Sequence, residues 1–176
     1  MGEVYHLGLT EKKIKDSSYA ILTGDPERVP NIAGKFSENY GEIACNREFR
    51  SFLVEHSKTP IVIISTGIGG SSASIVMDEL ASIGVKTFIR IGTSGSIHDY
   101  IKAGNVVITT GSVRLDGSSI HYAPIEYPAI ANYEVVNALV AGAMVANLKF
   151  FVGITVSTAT FYPGQERYDS FSGHVI

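Results

Sequence analysis

The chain has 176 residues, 45% of them hydrophobic and 18% charged, with a formal net charge of −3. That is enough apolar material for one well-buried core and too little length for two full domains. The 14 Lys and Arg residues form no long basic block, which argues against a nucleic-acid binder and turns attention to a small anion.

Cys45 is the single cysteine, so no internal disulfide can form. With no Asn-x-Ser/Thr site present, this favours a reducing compartment. Met1 to Thr10 carries Glu3 and His6 and lacks the apolar centre of a signal peptide. The longest mostly apolar stretch, Ala138 to Ala146, falls well short of the ~20 residues a spanning helix needs. A soluble, cytoplasmic protein is expected.

In chain order, the first β-rich run is Tyr19–Thr23, followed by a short helix after Pro26, which suits a first helical turn. Ile61–Ser65 is the next strand. Between Ser72 and Gly84, the residues Ala73, Val76, Met77, Leu80 and Ala81 make one apolar helical stripe. Ser72 is the expected N-cap there and Gly84 the C′ residue. Strands follow at Thr87–Ile91 and Val106–Thr110, then a long surface excursion from Gly111 to Pro128. A second helix is predicted from Asn132 to about Asn147, with Val136, Leu139, Val140 and Ala143 inward, before a last strand at Phe150–Thr155. Most strands are apolar on consecutive residues, as expected of strands covered on both faces. The pattern implies a three-layer α/β fold with a parallel or mixed sheet, forming a single unit over residues 1–176.

Three strands end in glycine turns: Gly24-Asp25-Pro26-Glu27-Arg28, Gly67-Ile68-Gly69-Gly70-Ser71-Ser72 and Gly92-Thr93-Ser94-Gly95-Ser96. Glycine lets the backbone approach a ligand, and helix N-termini behind such turns offer N–H groups to an anion. One turn alone is equally explained by steric need; three in one sheet favour binding. In open α/β sheets, ligands sit at the carboxyl ends of the strands. The second turn lacks the final glycine of a dinucleotide fingerprint, and the third lacks the closing glycine of a nucleophile elbow. No Walker-type lysine is present, which argues against a nucleoside triphosphatase.

Arg90 lies inside an apolar strand, two residues before the third turn. Such a guanidinium needs a compensating partner. It either pairs with Asp78 or Glu79, or points along the strand to grip a phosphate. Arg28 leaves the first turn in a similar way, and guanidinium forks match phosphate oxygens bidentately. Thr93 and Ser94 would add hydroxyl and backbone donors.

The segments His6-Leu-Gly-Leu-Thr10, Gly24-Asp-Pro-Glu-Arg28, Arg47-Glu-Phe49, Ser65-Thr-Gly-Ile-Gly-Gly70 and Arg90-Ile-Gly-Thr-Ser-Gly95 together resemble the nucleoside phosphorylase-I superfamily. Val113-Arg-Leu-Asp-Gly117 and Thr160-Phe-Tyr-Pro-Gly-Gln-Glu-Arg167 are more similar to its uridine-specific branch than to the purine-specific one. The resemblance implies a three-layer αβα fold with a central mixed sheet and reversible phosphorolysis of uridine to uracil and ribose 1-phosphate. It gives phosphate contacts to Gly24, Arg28, Arg90 and Thr93, with Arg47 contributed by a neighbouring subunit. His6, also from the neighbour, would meet the ribose 5′-hydroxyl. Thr93, Ser94 and Gly95 would line ribose and base, Phe161 would pack on the base, and Gln165 and Arg167 would bond its edge. Arg28, Arg90, Thr93, Gln165 and Arg167 carry the catalytic roles. No organic cofactor is implied. Inorganic phosphate is the co-substrate, and a monovalent cation, potassium, would sit at the dimer interface on Glu48, the Ile68 carbonyl and Ser72. The implied assembly is a homodimer built into a hexamer.

Each residue also has a plainer reading. His6 could be a solvated terminal histidine, Phe161 and Tyr162 core aromatics, Gln165 to Arg167 an exposed turn, and Glu48 a partner of Arg47 or Arg50. The sequence departs from the family in having Ala159 where Asp is usual and Ser94 where Thr is common. Family members continue beyond the position of Ile176 with a Met-Glu pair that binds the ribose hydroxyls, and no Met-Glu dipeptide occurs here. The chain is therefore expected to be C-terminally truncated. Two alternatives follow: a non-catalytic phosphate- and uracil-binding remnant, or a nucleosidase using water.

Overall fold

The computed structural model describes residues 2–165. They divide into two compact units meeting in sequence at Thr93 and Ser94. The first opens with an N-terminal segment whose Leu7, Leu9 and Ile14 are fully buried. It then contains β1 (Tyr19–Thr23), α1 (Arg28–Phe36), β2 (Tyr40–Asn46), β3 (Phe49–His56), β4 (Thr59–Ser65), α2 (Gly70–Ser82) and β5 (Thr87–Arg90). The sheet order is β2-β3-β4-β1-β5. β1 pairs in parallel with β4 and β5, while β2, β3 and β4 form antiparallel hairpins. The sheet is mixed, as expected.

Alternation along β1 and β4 builds the layers. Ala20, Leu22, Val62 and Ile64 pack with Val76 and Leu80 of α2 and with Leu7, Leu9 and Ile14. Ile21 and Ile63 point to the opposite face and pack with Val29 and Ala33 of α1, Phe52 and Val54. Both faces are therefore covered, which is why these strands read as continuous apolar runs. In α1, Val29, Ile32, Ala33 and Phe36 fall on one helical face and meet that second cluster.

Helix ends follow local chemistry. At the end of α2, Gly84 takes φ 107° and its N–H donates to Ala81 O, while Val85 N–H donates to Leu80 O. This is a Schellman closure with Val85 and Leu80 sharing one core. The start of α2 differs from expectation. The cap position is Gly69, and Ser72 lies inside the first turn with its hydroxyl turned to other partners. The predicted stripe is also narrower: Val76 and Leu80 are fully buried, whereas Met77 is exposed.

The second unit contains β6 (Val106–Leu115), β7 (Ala129–Ile130), α3 (Tyr133–Val145) and β8 (Phe150–Thr158). Its sheet order is β7-β6-β8, with β6 and β8 parallel. Asn132 caps α3, its side chain accepting from Val135 N–H. Asn147 (φ 51°) closes the helix, with Leu148 N–H donating to Ala143 O. Of the predicted inward set in α3, Ala143 is buried and Val136 and Val140 are half-buried, while Leu139 is exposed.

The excursion begins later than predicted, because β6 stays paired with β8 as far as Leu115 opposite Thr158. Arg114 then gathers the loop. Its guanidinium donates to Ser119 Oγ and to the carbonyls of Ser119, Ala123, Pro124 and Tyr127. Asp116 accepts from Ser118 and Ser119 N–H and from Ser119 Oγ. Among the described residues, no helix is long and apolar enough to cross a membrane.

Candidate active site

Since β4, β1 and β5 are parallel neighbours, their carboxyl ends form one rim. Pairing persists to the edge: Thr66 N–H donates to Thr23 O at 2.7 Å, and Ile91 N–H donates to Leu22 O at 2.8 Å. The three predicted glycine turns therefore leave the sheet side by side. Arg90 ends β5, is solvent-exposed, and lies against two of them. A Cβ placed on Gly24 would stand 3.6 Å from Arg90 Nη2 and 3.6 Å from Gly67 O. A Cβ on Gly92 would stand only 2.8 Å from Arg90 Nη1. Absence of side chains at Gly24 and Gly92 gives the guanidinium its room.

Arg90 forms no ion pair or hydrogen bond among the described residues. The structural pairing with Glu79 does not form, because that carboxylate is committed to His6 and Leu7. A free guanidinium beside open backbone at the carboxyl edge of parallel strands is suited to an oxyanion. Arg28, the first residue of α1, leans toward Asp25 at 3.7 Å, with both side chains about half exposed. So loose and exposed a pair holds Arg28 only weakly. Thr93 is exposed just beyond the rim.

Glu48 joins this rim to the β2–β3 turn. A Cβ on Gly67, whose φ is 68°, would lie 2.7 Å from Glu48 Cγ and 3.0 Å from Ser72 Oγ. Ser72 Oγ lies 3.1 Å from Glu48 Oε1 and also bonds the Thr66 carbonyl. One hydroxyl hydrogen cannot serve both acceptors, so a cation could relieve the oxygen left facing oxygen. Carboxylate, hydroxyl and carbonyl oxygens suit a hard cation. Ile68 itself is 97% exposed.

Arg47 follows Asn46 in the turn, takes φ 54° and is exposed. A positive φ on a residue bearing a Cβ is a strained choice. The N-terminal segment packs against this turn. The His6 ring stands edge-to-face with Phe49, centroids 6.5 Å apart, and a Cβ on Gly8 would fall 2.5 Å from Asn46 Nδ2. His6 and Arg47, the two residues assigned to a neighbour's site, thus belong to one neighbourhood. His6 is not a free terminal side chain. Its Nδ1 lies 2.6 Å from Glu79 Oε1, and the N–H groups of His6 and Leu7 donate to the same carboxylate. Burial raises the Glu79 pKa, but the His6 and Leu7 N–H bonds and the His6 ring outweigh it, leaving a net lowering.

In the second unit, Ser94 Oγ donates to the Gly95 carbonyl at 3.1 Å. Phe161 is 54% exposed and edge-to-face with Tyr162, so neither ring is a core aromatic. Pro163–Gln165 forms a 3₁₀ turn, tied by Gly164 N–H to Thr160 Oγ1, and Gln165 Nε2 donates to Thr158 Oγ1. Arg167 lies outside the described residues. An apolar cavity of about 480 Å³, lined by Val113, Ile125, Tyr127, Ile130 and Ile154, contains none of the predicted site residues.

The sequence offers Glu79 only as a candidate partner of Arg90 and gives no sign of its hold on His6. Its role depends on a contact spanning 73 positions, and its place on the polar side of a helix carries no local signal.

A family model described as the Phosphorylase superfamily matches residues 18–172, and the chain belongs to that superfamily. Within it, the chain is 49% identical over 174 residues to the uridine phosphorylase of Klebsiella aerogenes, covering 99% of this chain and 68% of the relative. It is 51% identical over 175 residues to that of Haemophilus influenzae, covering 99% and 69%. The uridine phosphorylase of Escherichia coli strain K12 is 48% identical over 174 residues, covering 99% and 68%. The chain thus spans about two thirds of the length of these relatives.

Proposed function

We propose that the chain is a pentosyltransferase that carries out reversible phosphorolysis of uridine, giving uracil and ribose 1-phosphate in cytoplasmic pyrimidine salvage. The observation that carries this reading is the Arg90 guanidinium, without a partner among the described residues, set among glycine turns at the sheet's carboxyl rim. Similarity to uridine phosphorylases over 99% of the chain supports the choice of substrate.

Phosphate is held by Arg90 and Arg28, by the backbone at Gly24 and by Thr93, with Arg47 of a neighbouring subunit completing the cradle. The glycosidic bond loosens toward an oxocarbenium-like state, and a phosphate oxygen attacks the anomeric carbon. Phosphate serves as electrostatic partner and nucleophile, so no carboxylate pair is needed. The electron pair of the broken C–N bond leaves with uracil. Gln165 and Arg167 oppose that charge and read the imide edge, while Phe161 stacks on the ring. Thr93, Ser94 and Gly95 line the ribose, and His6 of the neighbour receives its 5′-hydroxyl. Glu48, Ser72 and the Ile68 carbonyl would hold potassium, a charge that steadies the turn beside the rim. Subunits sharing sites in this way form a homodimer and, through it, a hexamer.

Chromatography of uridine incubations tests the reading. Uracil should appear with phosphate and not in phosphate-free buffer. Binding without turnover would leave only a ligand-binding module, and turnover without phosphate would indicate a nucleosidase.

A further inference from the structure

Glu79 takes no part in the proposed reaction, yet its carboxylate is the focus of several directed hydrogen bonds. Both of its oxygens are used. The His6 N–H donates to Oε1 and Oε2 at 2.9 and 3.1 Å, the Leu7 N–H donates to Oε2 at 3.0 Å, and the His6 ring meets Oε1 at 2.6 Å. The Glu79 side chain is 16% exposed and the His6 side chain 32%. Three donors converging on one largely covered carboxylate make a built clamp rather than a chance surface pair.

The clamp acts on a ring already held on two sides. Tyr5 stands edge-to-face with it, centroids 4.9 Å apart, and the buried Phe49 does the same from the sheet. The next residue, Leu7, is fully buried. A carboxylate only accepts, so Nδ1 must carry the hydrogen. That leaves Nε2, on the far side of the ring, as the nitrogen without a partner among the described residues. A carboxylate behind one ring nitrogen, fixing which atom of the other edge faces a ligand, is a recurrent means of orienting histidine.

We propose that Glu79 is the positioning residue for His6: it fixes the ring so that Nε2 is presented to the 5′-hydroxyl of a nucleoside bound by the neighbouring subunit. The inference rests on the proposed function for the identity of the ligand, but not for the state of the ring. It also gives α2 a double task, because the same helix carries Ser72 near its start and Glu79 near its end. Ser72 reaches Glu48 in the β2–β3 turn at 3.1 Å, so α2 touches both that turn and the His6 segment.

Two measurements test it. In ¹⁵N-labelled protein, long-range proton–nitrogen spectra of the neutral His6 ring should show Nδ1 protonated and Nε2 bare. Glu79→Gln should replace that single state by an exchanging mixture. Protonation at Nε2 in the unsubstituted chain, or an unchanged ring in Glu79→Gln, would overturn the proposal. If Glu79→Gln does not fold, the unsubstituted spectrum still decides, and Glu79→Asp supplies a shorter carboxylate as the second variant. In turnover, Glu79→Gln should lower kcat/KM for uridine by about tenfold while changing that for 5′-deoxyuridine by less than about twofold. Combining it with His6→Ala should add nothing to the loss caused by His6→Ala alone. Equal losses on both substrates, or additive losses, would contradict the positioning role. Failure of the unsubstituted chain to release uracil would count against the proposed function, while the ring spectrum would still judge Glu79.

Discussion

Replacing Gly92 by Ala probes the proposed phosphate site without substituting a charged residue. The added methyl would lie 2.8 Å from Arg90 Nη1, where ordinary contact begins at 3.4 Å. The guanidinium must therefore retreat by about 0.6 Å, since close-packed atoms do not share space. Gly92 does not occupy the left-handed region that favours glycine, and the group that moves is the free end of a long side chain. Folding stability should thus change by no more than about 0.5 kcal/mol. Ligand binding should respond far more. A bidentate grip depends on N–H···O distances and angles that a shift of this size spoils. Losing one charged hydrogen bond costs about 1.5–3 kcal/mol, or roughly ten- to hundredfold in affinity. Calorimetric titration with inorganic phosphate, beside a thermal melt, separates the two effects. Unchanged phosphate affinity in a well-folded Gly92→Ala protein would refute the placement of Arg90 at the site.

Leu80→Ala, which removes a fully buried side chain where α2 meets the sheet, should destabilise the chain by about 3 kcal/mol in urea unfolding. Ser57 and Lys58 form the two-residue β3–β4 turn with φ 51° and 66°. The double substitution Ser57→Asn with Lys58→Gly should raise stability by about 1 kcal/mol, read from the denaturation midpoint. Glu79 and Asp116 both have lowered pKa values: burial raises each, and their hydrogen bonds, to His6 and Leu7 and to Ser119 and Ser118 respectively, outweigh it. Their contribution is therefore present above the ordinary carboxylate range and is lost as pH falls through the folded-state values. Unfolding followed from neutral pH downward should show stability declining below about pH 4.5, and less steeply in Asp116→Asn.

Much of the first unit's centre is legible in the sequence because its strands are covered on both faces. Tyr19–Thr23 and the runs ending at Ser65 and Arg90 are apolar on successive residues, and each stops at glycine. The hairpins linking β2, β3 and β4 are not legible. Their turns, Arg47-Glu48 and Ser57-Lys58, hold residues with positive φ but without the glycine or asparagine that marks such turns. Periodicity overreads the helix stripes at Met77 and Leu139, which are apolar yet exposed, since period alone cannot say what covers a face.

The same division runs through the site. Arg90, Gly24 and Gly67 can be placed together because parallel strands carry their ends to one rim. The hold of Glu79 on His6 and the gathering of the Gly117–Tyr127 loop by Arg114 depend on tertiary contacts that no spacing announces.

The central claim is that phosphate, gripped at the rim, attacks the anomeric carbon of uridine. Incubation with ¹⁸O-labelled phosphate and analysis of the sugar product by mass spectrometry tests it directly. The expected product is ribose 1-phosphate retaining every labelled oxygen, including the one bonded to C1. Free ribose carrying an oxygen from solvent would contradict it.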